Sequence, residues 1–355
     1  MKNISRVETS ICSETDKQDA EIAEKTQRSL RKSCAFNIQP PHTHPAFALS
    51  ASRFFVSRWK LAILLIPLLL GGCVTMQPKE KAAEKAPVVD DATYSINAIA
   101  RAEEAINQGK TTAAIYHYTT ALQKSPESGV ALRGLGNIYL GKNQPQIAER
   151  YFNEGVRIDA DDAASQEGLG LAQLRQLNYL QAEEHLKLAV QLNKMLWRTW
   201  NGLGVIADFK AEHADAVAYY HRALEIVPGA PGIINNHGYS LLMAKKYPES
   251  EQQFRRGLKT APNHQRLRNN LGITLAWQRR YDDAIKEIAL VLPAAAALNN
   301  VGYIAMQLGD YEMAGGYFDE ALKVSPTYYL PAAKNIKRLE SIKKERSLKT
   351  VLDKR

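Results

Sequence analysis

Five glycines recur along the chain at a constant spacing of 34 residues, and this regularity restricts the possible folds more than any other feature. They are Gly136, Gly170, Gly204, Gly238 and Gly272. Glycine is a poor helix former, so its regular return within helix-favouring sequence indicates a repeated unit with close helix packing. When these glycines are placed at position 8 of each unit, position 20 is small and position 24 is bulky. Position 20 holds Ala148, Ala182, Ala216, Ser250 and Ala284, and position 24 holds Phe152, Leu186, Tyr220, Phe254 and Ile288.

This pattern resembles the tetratricopeptide repeat, a 34-residue unit of two antiparallel helices, A and B. Small residues at positions 8, 20 and 27 let the helices approach, and bulky residues fill the space between them. The same register extends back to a degenerate unit near Ser95 and forward through Gly302 and Pro326. The resemblance implies an all-α fold, a right-handed superhelix over residues 95–328. Its seven units are 95–128, 129–162, 163–196, 197–230, 231–264, 265–294 and 295–328.

The sixth unit departs from the period. Gly302 follows Gly272 by 30 residues, so four residues are missing, about one helical turn. We therefore expect a shortened B helix in unit 265–294. Residues 329–355 are predicted to form a helix that caps the last unit, followed by a basic tail, because the open end of a solenoid needs cover.

The N-terminal region contains the features of a secretory signal at residues 56–72. Arg58 and Lys60 precede ten apolar residues, 61–70, which is half of the ~20 that a membrane-spanning helix needs. The run ends in LGGC, which resembles the bacterial lipobox. The resemblance implies cleavage before Cys73 and covalent diacylglycerol and N-acyl lipid, such as palmitate, on its amino-terminal cysteine. A short buried helix with a chance cysteine is the alternative. Val74, which is not acidic, favours sorting to the outer membrane.

Two segments flank this signal. Residues 1–55 have no helical or strand period, and we interpret them as a leader that is either disordered or upstream of the true translation start. Residues 73–94 are rich in Lys, Glu, Ala and Pro with few large apolar groups. Such a composition does not bury enough surface to offset chain entropy, so it predicts a lipid anchor followed by a flexible tether.

The sequence gives no support for catalysis, a metal, or nucleic acid. The cysteines are Cys12, Cys34 and Cys73, so a chain cleaved before Cys73 has no internal disulfide and no CxxC zinc site. The eight histidines lack ligand spacing. With 46 basic and 37 acidic residues, the net charge of +9 is modest for 355 residues and forms no basic block with interleaved aromatics. We predict a non-enzymatic protein whose only attached group is the lipid.

Asparagine is concentrated at positions 5 and 6 of the A helices. The set comprises Asn201, Asn235, Asn236, Asn269, Asn270, Asn299 and Asn300. Asparagine costs a helix about 0.5 kcal/mol relative to alanine, so its recurrence in register suggests a purpose. The helical angles place both positions at the border of the open face of helix A. We predict that these amides bind the backbone of an extended peptide. The alternative is that they hydrogen bond between adjacent units and fix the stacking.

The stretch from Asn299 to Glu340, together with the LGGC motif, resembles the TadD-type lipoproteins of the Flp/Tad (tight adherence) pilus machinery. The resemblance implies a scaffold on the periplasmic face of the outer membrane, a pilotin-like partner of the secretin in pilus assembly and protein secretion. A type IV pilus pilotin or another envelope adaptor remains an alternative. An accessory arm of an envelope enzyme is less favoured, because no stretch outside the assigned segments is long enough for a catalytic domain.

Overall fold

The computed structural model describes residues 90–325, 327 and 329–352. Within them lie fifteen α-helices and no strand, which confirms the all-α prediction. The helices are α1 (Asp91–Asn107), α2 (Thr111–Lys124), α3 (Gly129–Gly141), α4 (Pro145–Ile158), α5 (Ala163–Arg175), α6 (Tyr179–Leu192), α7 (Trp197–Phe209), α8 (His213–Ile226), α9 (Pro231–Met243), α10 (Tyr247–Thr260), α11 (Gln265–Trp277), α12 (Tyr281–Ala289), α13 (Ala294–Gln307), α14 (Tyr311–Val324) and α15 (Leu330–Leu352). The predicted leader, signal peptide and Cys73 lie outside the described residues.

The helices form seven pairs in which each odd-numbered A helix packs against the even-numbered B helix that follows it. From α3 to α15, each A helix also contacts the A helix of the next unit, whereas successive B helices stay farther apart. An array with this asymmetry curves so that the A helices line its inner side. The predicted series of seven helix pairs and one cap is confirmed.

The first helix begins earlier than the repeat register suggested. Helix α1 starts at Asp91, and Asp90 caps it by accepting a hydrogen bond of 2.8 Å from the backbone N–H of Thr93. The prediction that the tether extends to residue 94 is therefore wrong for its last four residues. The helix that starts at this capping aspartate adds about one turn in front of the unit, and such caps stabilise a helix start by about 1 kcal/mol.

Glycines and large side chains interlock within and between units. A methyl group on Gly136 would lie 2.7 Å from the ring of Phe152, so the bulky residue at position 24 fills the space beside the small residue at position 8. The same ring also packs against Gly168 at position 6 of the next unit. Phe152 is thus held between two units and is 1% exposed. Truncation of such a side chain typically costs about 3–5 kcal/mol.

The turn from helix A to helix B uses the left-handed backbone conformation at position 15 in all seven units. The φ angles there are between 57° and 84°. The residues are Gly109, Asn143, Leu177, Ala211, Lys245, Arg279 and Gly309. The turn closes a Schellman-type end, in which the N–H of Gln144 donates to the carbonyl of Tyr139 at 2.9 Å. Only two of the seven residues are glycine, so this requirement left little trace in the sequence.

The C-terminal part contains the irregularity that the sequence predicted. Helix α12 has nine residues, whereas α4 and α10 each have fourteen. Helix α13 begins directly after Pro293. Helix α15 packs on α13 and α14, burying Ala332 and Leu339, and so caps the array. Within the described part of the chain, no helix is long and apolar enough to cross a membrane.

Candidate functional site

The asparagines at positions 5 and 6 meet between units. The side-chain amide of Asn236 donates to the oxygen of Asn201 at 3.1 Å, and that of Asn270 donates to Asn235 at 3.0 Å. Each bond joins position 5 of one A helix to position 6 of the next, and we call it a rung. Both rungs are buried, with Asn235 only 1% exposed. They fix the register of α7 on α9 and of α9 on α11.

A further rung attaches the cap. The amide of Asn335 in α15 donates to the oxygen of Asn299 in α13 at 2.9 Å. The sequence analysis missed Asn335, although it follows Asn299 by 36 residues, almost the spacing of the other rungs. Extending the asparagine register beyond the last complete unit is the signal that finds it. The ladder therefore continues into the capping helix.

One rung is open. Asn269 at position 5 of α11 and Asn300 at position 6 of α13 form the equivalent pair, yet no hydrogen bond joins them. Asn269 donates only a long bond of 3.4 Å to its neighbour Asn270, and its own side-chain oxygen is buried without a partner. Asn300 is half-buried and makes no side-chain hydrogen bond within the described residues. The open rung lies at the joint bridged by the shortened α12.

The orientation of positions 5 and 6 differs from the sequence prediction for a physical reason. The prediction took only the B helix of the same unit as the buried side of helix A. Each A helix also packs against the preceding B helix and the neighbouring A helices, so more of its surface is buried. Five of the seven asparagines are at most 8% exposed: Asn201, Asn235, Asn236, Asn270 and Asn299. For these five the geometry favours the stacking alternative. Asn269 and Asn300 are the two that are only half-buried, whereas the side-chain oxygens of both Asn236 and Asn269 are buried without a hydrogen-bond partner.

Position 5 serves the same stacking role in earlier units with different chemistry. Arg133 forms an ion pair of 2.7 Å with Asp162, which caps the next A helix. Burial raises the pKa of that carboxyl, but the hydrogen bond from Ser165 and the charge of Arg133 outweigh burial, so the pKa lies below its usual value. In the third unit, Glu167 accepts a hydrogen bond of 2.9 Å from Thr199.

Arginine also occurs at position 2 of two A helices. Arg198 in α7 and Arg266 in α11 both occupy position 2, one helical turn before position 5 on the same face. Neither forms an ion pair within the described residues, and one guanidinium nitrogen of Arg266 is buried without a hydrogen-bond partner. The pKa of His264 is lowered first by burial and then by the charge of Arg266.

The same face is apolar at the start of the array. Ile96, Ile99 and Val130 line an open cleft of about 730 Å³ between α1 and the turn that leads into α3. Ile96 is 65% exposed. The A-helix surface is thus apolar at the first two units, whereas Asn269 and Asn300 are half-buried at the sixth and seventh.

A polar cluster between the fourth and fifth units is committed to packing. The carboxylate of Asp208 accepts hydrogen bonds from Ser240 at 2.6 Å and from the hydroxyl of Tyr220 at 2.9 Å, and it lies 3.0 Å from the ring nitrogen of His213. These contacts join α7, α8 and α9. No group of three or more His, Cys, Asp or Glu side chains in the described ranges is arranged to hold a metal ion.

Three family models described as tetratricopeptide repeat match the chain, at residues 105–174, at 168–231 with 235–295, and at 295–328. Protein FlbA of Caulobacter vibrioides is 27% identical over 150 residues, which cover 42% of this chain and 24% of FlbA. Human tetratricopeptide repeat protein 7B is 31% identical over 133 residues, covering 37% of this chain and 16% of that protein. The chain therefore matches a quarter or less of the length of these curated relatives.

Among solved structures, PilF of Pseudomonas aeruginosa is similar with a TM-score of 0.45 and 17% identity, over 69% of this chain and 97% of PilF. The Cut9–Hcn1 hetero-tetramer of the APC/C is similar with a TM-score of 0.49 and 18% identity, over 70% of this chain and 48% of that chain. The family models together match residues 105–231 and 235–328. Residues 105–328 are therefore an array of tetratricopeptide repeats.

Proposed function

We propose that this protein is a lipid-anchored adaptor of the bacterial envelope whose repeats hold protein partners during assembly of an Flp/Tad pilus and its secretion apparatus. The observation that carries the proposal is the combination, in one chain, of an LGGC motif at Cys73 with an array of seven helix pairs. Tetratricopeptide repeats are protein-binding units. The resemblance of residues 299–340 to TadD-type lipoproteins supports the narrower assignment to the pilus.

The stacking of the units suits them to this role. Closed rungs and the Asp208 cluster hold successive A helices in fixed register, so the inner surface is formed before a partner arrives. A preformed surface loses less conformational entropy on binding than a mobile one. The polar groups that remain available on it, at Asn269, Asn300 and Arg198, suit hydrogen bonding and charge pairing with a peptide. We assign no catalytic role to any of them.

The anchor sets where the repeats act. A lipid on Cys73 holds the chain at the outer membrane, and residues 74–90, when extended, reach up to ~60 Å from it. A secretin subunit that inserts into that membrane lies within this distance. We therefore propose the secretin as the partner, in a pilotin-like interaction.

The proposal is tested with the Cys73→Ser variant in the native host. Radiolabelled palmitate should enter the wild-type protein only, and the variant should leave the outer-membrane fraction, since the proposed lipid anchor is gone. The amount of secretin oligomer in that fraction should fall with it. Equal labelling of both proteins contradicts the anchor, and an unchanged secretin contradicts the pilotin-like role. Loss of a type IV pilus secretin instead of the Flp/Tad secretin favours the alternative.

A further inference from the structure

We propose that one edge of the array docks on a membrane surface containing anionic phospholipid, with Leu177, Leu180 and Phe209 entering the lipid and lysines pairing with the headgroups. This edge, which we call the turn edge, consists of the A–B turns of the second to fifth units and the adjoining helix ends. The turns are residues 142–144, 176–178, 210–212 and 244–246. The inference goes beyond the proposed function, because it assigns a membrane contact that does not depend on a lipid at Cys73.

The four turns lie side by side, because successive A helices run in the same direction and pack on each other. The guanidinium of Arg175 donates to the carbonyl of Leu140 at 2.7 Å, which joins the ends of α5 and α3. The rings of Tyr179 and Phe209 stack with their centroids 3.9 Å apart, which joins the third turn to the fourth. With about 8–10 Å between adjacent helices, the turn edge extends over roughly 30 Å. It can therefore contact a flat surface at several turns at once.

Large apolar side chains are exposed at the centre of the turn edge. Leu180 is 72% exposed, Leu177 60% and Phe209 44%. Tyr179 lies between the two leucines in the sequence and contacts Phe209, so the third and fourth units contribute to one patch. Position 18, which Leu180 occupies, is Gln146, Ala214 and Pro248 in the neighbouring units on this edge. An apolar patch that folding leaves uncovered indicates a contact outside the chain.

The backbone at Leu177 supports the same conclusion. Its φ of 65° is left-handed, a conformation that is strained for a leucine. The side chain is mostly exposed, so little packing within the array offsets that strain. Strain that folding does not repay is typical of positions that serve a function. An apolar side chain held outwards at a turn is suited to insertion into lipid.

Lysines surround the apolar patch and indicate the kind of surface it meets. The turns contain Lys142, Lys210, Lys245 and Lys246 against one acidic residue, Glu212. Lys210 pairs with Glu183 at 2.5 Å, whereas the other three lysines are exposed and form no ion pair within the part of the chain that the structure describes. Basic side chains beside apolar ones bind anionic headgroups and the adjoining acyl chains together.

Charge also distinguishes the turn edge from the opposite edge of the array. The B–A turns there are residues 125–128, 159–162, 193–196, 227–230 and 261–264. They contain four acidic residues, Glu127, Asp159, Asp161 and Asp162, against Lys194 as their one lysine. Anionic lipid repels such an edge. On the turn edge, Asp215 and Glu249 are set behind the turn residues, within the first helical turns of α8 and α10. The turn edge is therefore the one that faces the membrane.

The experiment places an environment-sensitive fluorophore on the turn edge of the whole chain. The natural cysteines are replaced by serine, so that Leu180→Cys carries the only dye and no acyl group is involved. The vesicles contain either equal parts of phosphatidylglycerol and phosphatidylcholine or phosphatidylcholine alone. The dye reports its own surroundings, so lipid contact by the apolar residues 61–70 does not produce its signal. Leu290→Cys, at a site 67% exposed on the opposite edge, is the matched control.

We expect blue-shifted emission from the dye at position 180 with the anionic vesicles, much less with phosphatidylcholine alone, and none at position 290. The ratio of docked to undocked dye should fall about 25-fold in Lys245→Gln/Lys246→Gln, since each charge near an anionic surface contributes about fivefold. Salt should weaken the docking of the wild type by screening these charges. Lys259→Gln/Lys323→Gln removes two exposed lysines from the opposite ends of B helices and should leave the ratio unchanged.

A second pair of variants tests insertion separately from stability. Leu177→Gly relieves the strained backbone, yet it should lower the docked ratio about tenfold because one leucine no longer enters the lipid. Ala211→Gly relieves the same left-handed conformation, at φ of 63°, and should change the ratio less than about threefold, because only a methyl group is lost. Urea unfolding verifies that each variant folds. A residue with a purely structural role would not lose docking while the protein keeps or gains stability.

The outcomes that overturn the proposal are specific to the turn edge. Docking that is equal in Lys245→Gln/Lys246→Gln and its control excludes pairing with headgroups, and docking that is equal in Leu177→Gly and Ala211→Gly excludes insertion. An equal shift at positions 180 and 290 excludes a preferred edge. No shift at position 180 with either vesicle assigns the patch to a protein partner instead. Because no lipid on Cys73 takes part, this test can fail while palmitate labelling succeeds, and the reverse.

Discussion

Some asparagines of the A helices are hydrogen bonded across a rung and others are not. Substitution with alanine tests this difference, because it should lower the stability of the protein in the first case and leave it equal or higher in the second. In Asn235→Ala, the amide of Asn270 loses its acceptor at 3.0 Å in a site where Asn270 is 8% exposed. Leaving such a donor unpaired costs about 1–3 kcal/mol, and alanine returns about 0.5 kcal/mol through its helix propensity. We expect a net loss of about 0.5–2.5 kcal/mol. In Asn300→Ala no internal bond is broken, so stability should stay equal or rise by up to about 0.5 kcal/mol.

The assay is urea unfolding followed by circular dichroism at 222 nm, with the slope compared between variants, because repeat arrays need not unfold in one step. The double variant Asn235→Ala/Asn270→Ala removes both partners, so its loss should be smaller than the sum of the single losses by at least ~0.5 kcal/mol. If Asn235→Ala is as stable as Asn300→Ala, or if the two single losses simply add, the rung between α9 and α11 does not stabilise the stack and the reasoning is refuted.

Three further predictions concern the rest of the array. Leu177→Gly should raise stability by about 0.5–1 kcal/mol, because Leu177 has a φ of 65° and the relief of left-handed strain exceeds the entropy cost of glycine. Gly309→Ala, at position 15 of the last unit, should lower stability for the same reason. The urea midpoints of both variants check the prediction. Gly168→Ala should cost about 1–3 kcal/mol, measured in the same way, because the added methyl group meets the ring of Phe152. Burial lowers the pKa of His237 from 6.5 to about 4, so as the pH falls the unfolded chain binds a proton before the folded protein does. The free energy of unfolding should therefore be at its full value above pH 6.5 and fall by about 2 kcal/mol between pH 7 and pH 5. His237→Leu should flatten that fall, as measured by urea titrations at the two pH values.

The fold was predictable from the sequence because its decisive contacts lie within one unit. Gly136 and Phe152 are neighbours in space and recur every 34 residues, so the packing rule is visible as a spacing. The shortened α12 was predictable for the same reason, as a break in that spacing. The start of α1 was not, because it depends on the cap at Asp90, which lies outside the repeat pattern.

The candidate site was only half predictable because it depends on contacts between units. The sequence identifies the asparagines. The packing of neighbouring A helices then decides whether Asn236 contacts Asn201 or is left open to a peptide. A helical wheel of one helix contains no information about that packing. The open rung is harder still to predict, since whether Asn269 and Asn300 pair depends on the relative placement of α11 and α13, which are joined through a shortened helix. Regular spacing thus predicts the stack, and the exception to it predicts where the stack keeps free polar groups.

If the shortened helix is the cause of the open rung, restoring the period should close it. We expect insertion of four helix-forming residues, Ala-Leu-Glu-Lys, between Ala289 and Leu290 to lengthen α12 by about one turn and to return the sixth unit to 34 residues. Asn300 can then donate to Asn269 as Asn270 donates to Asn235, so urea unfolding should show a gain of about 0.5–1.5 kcal/mol in the free energy of unfolding. The same insertion within residues 79–85, in front of the array, is the matched control and should leave the stability unchanged. An inserted variant that folds but is no more stable than this control would contradict the shortened helix as the cause of the open rung.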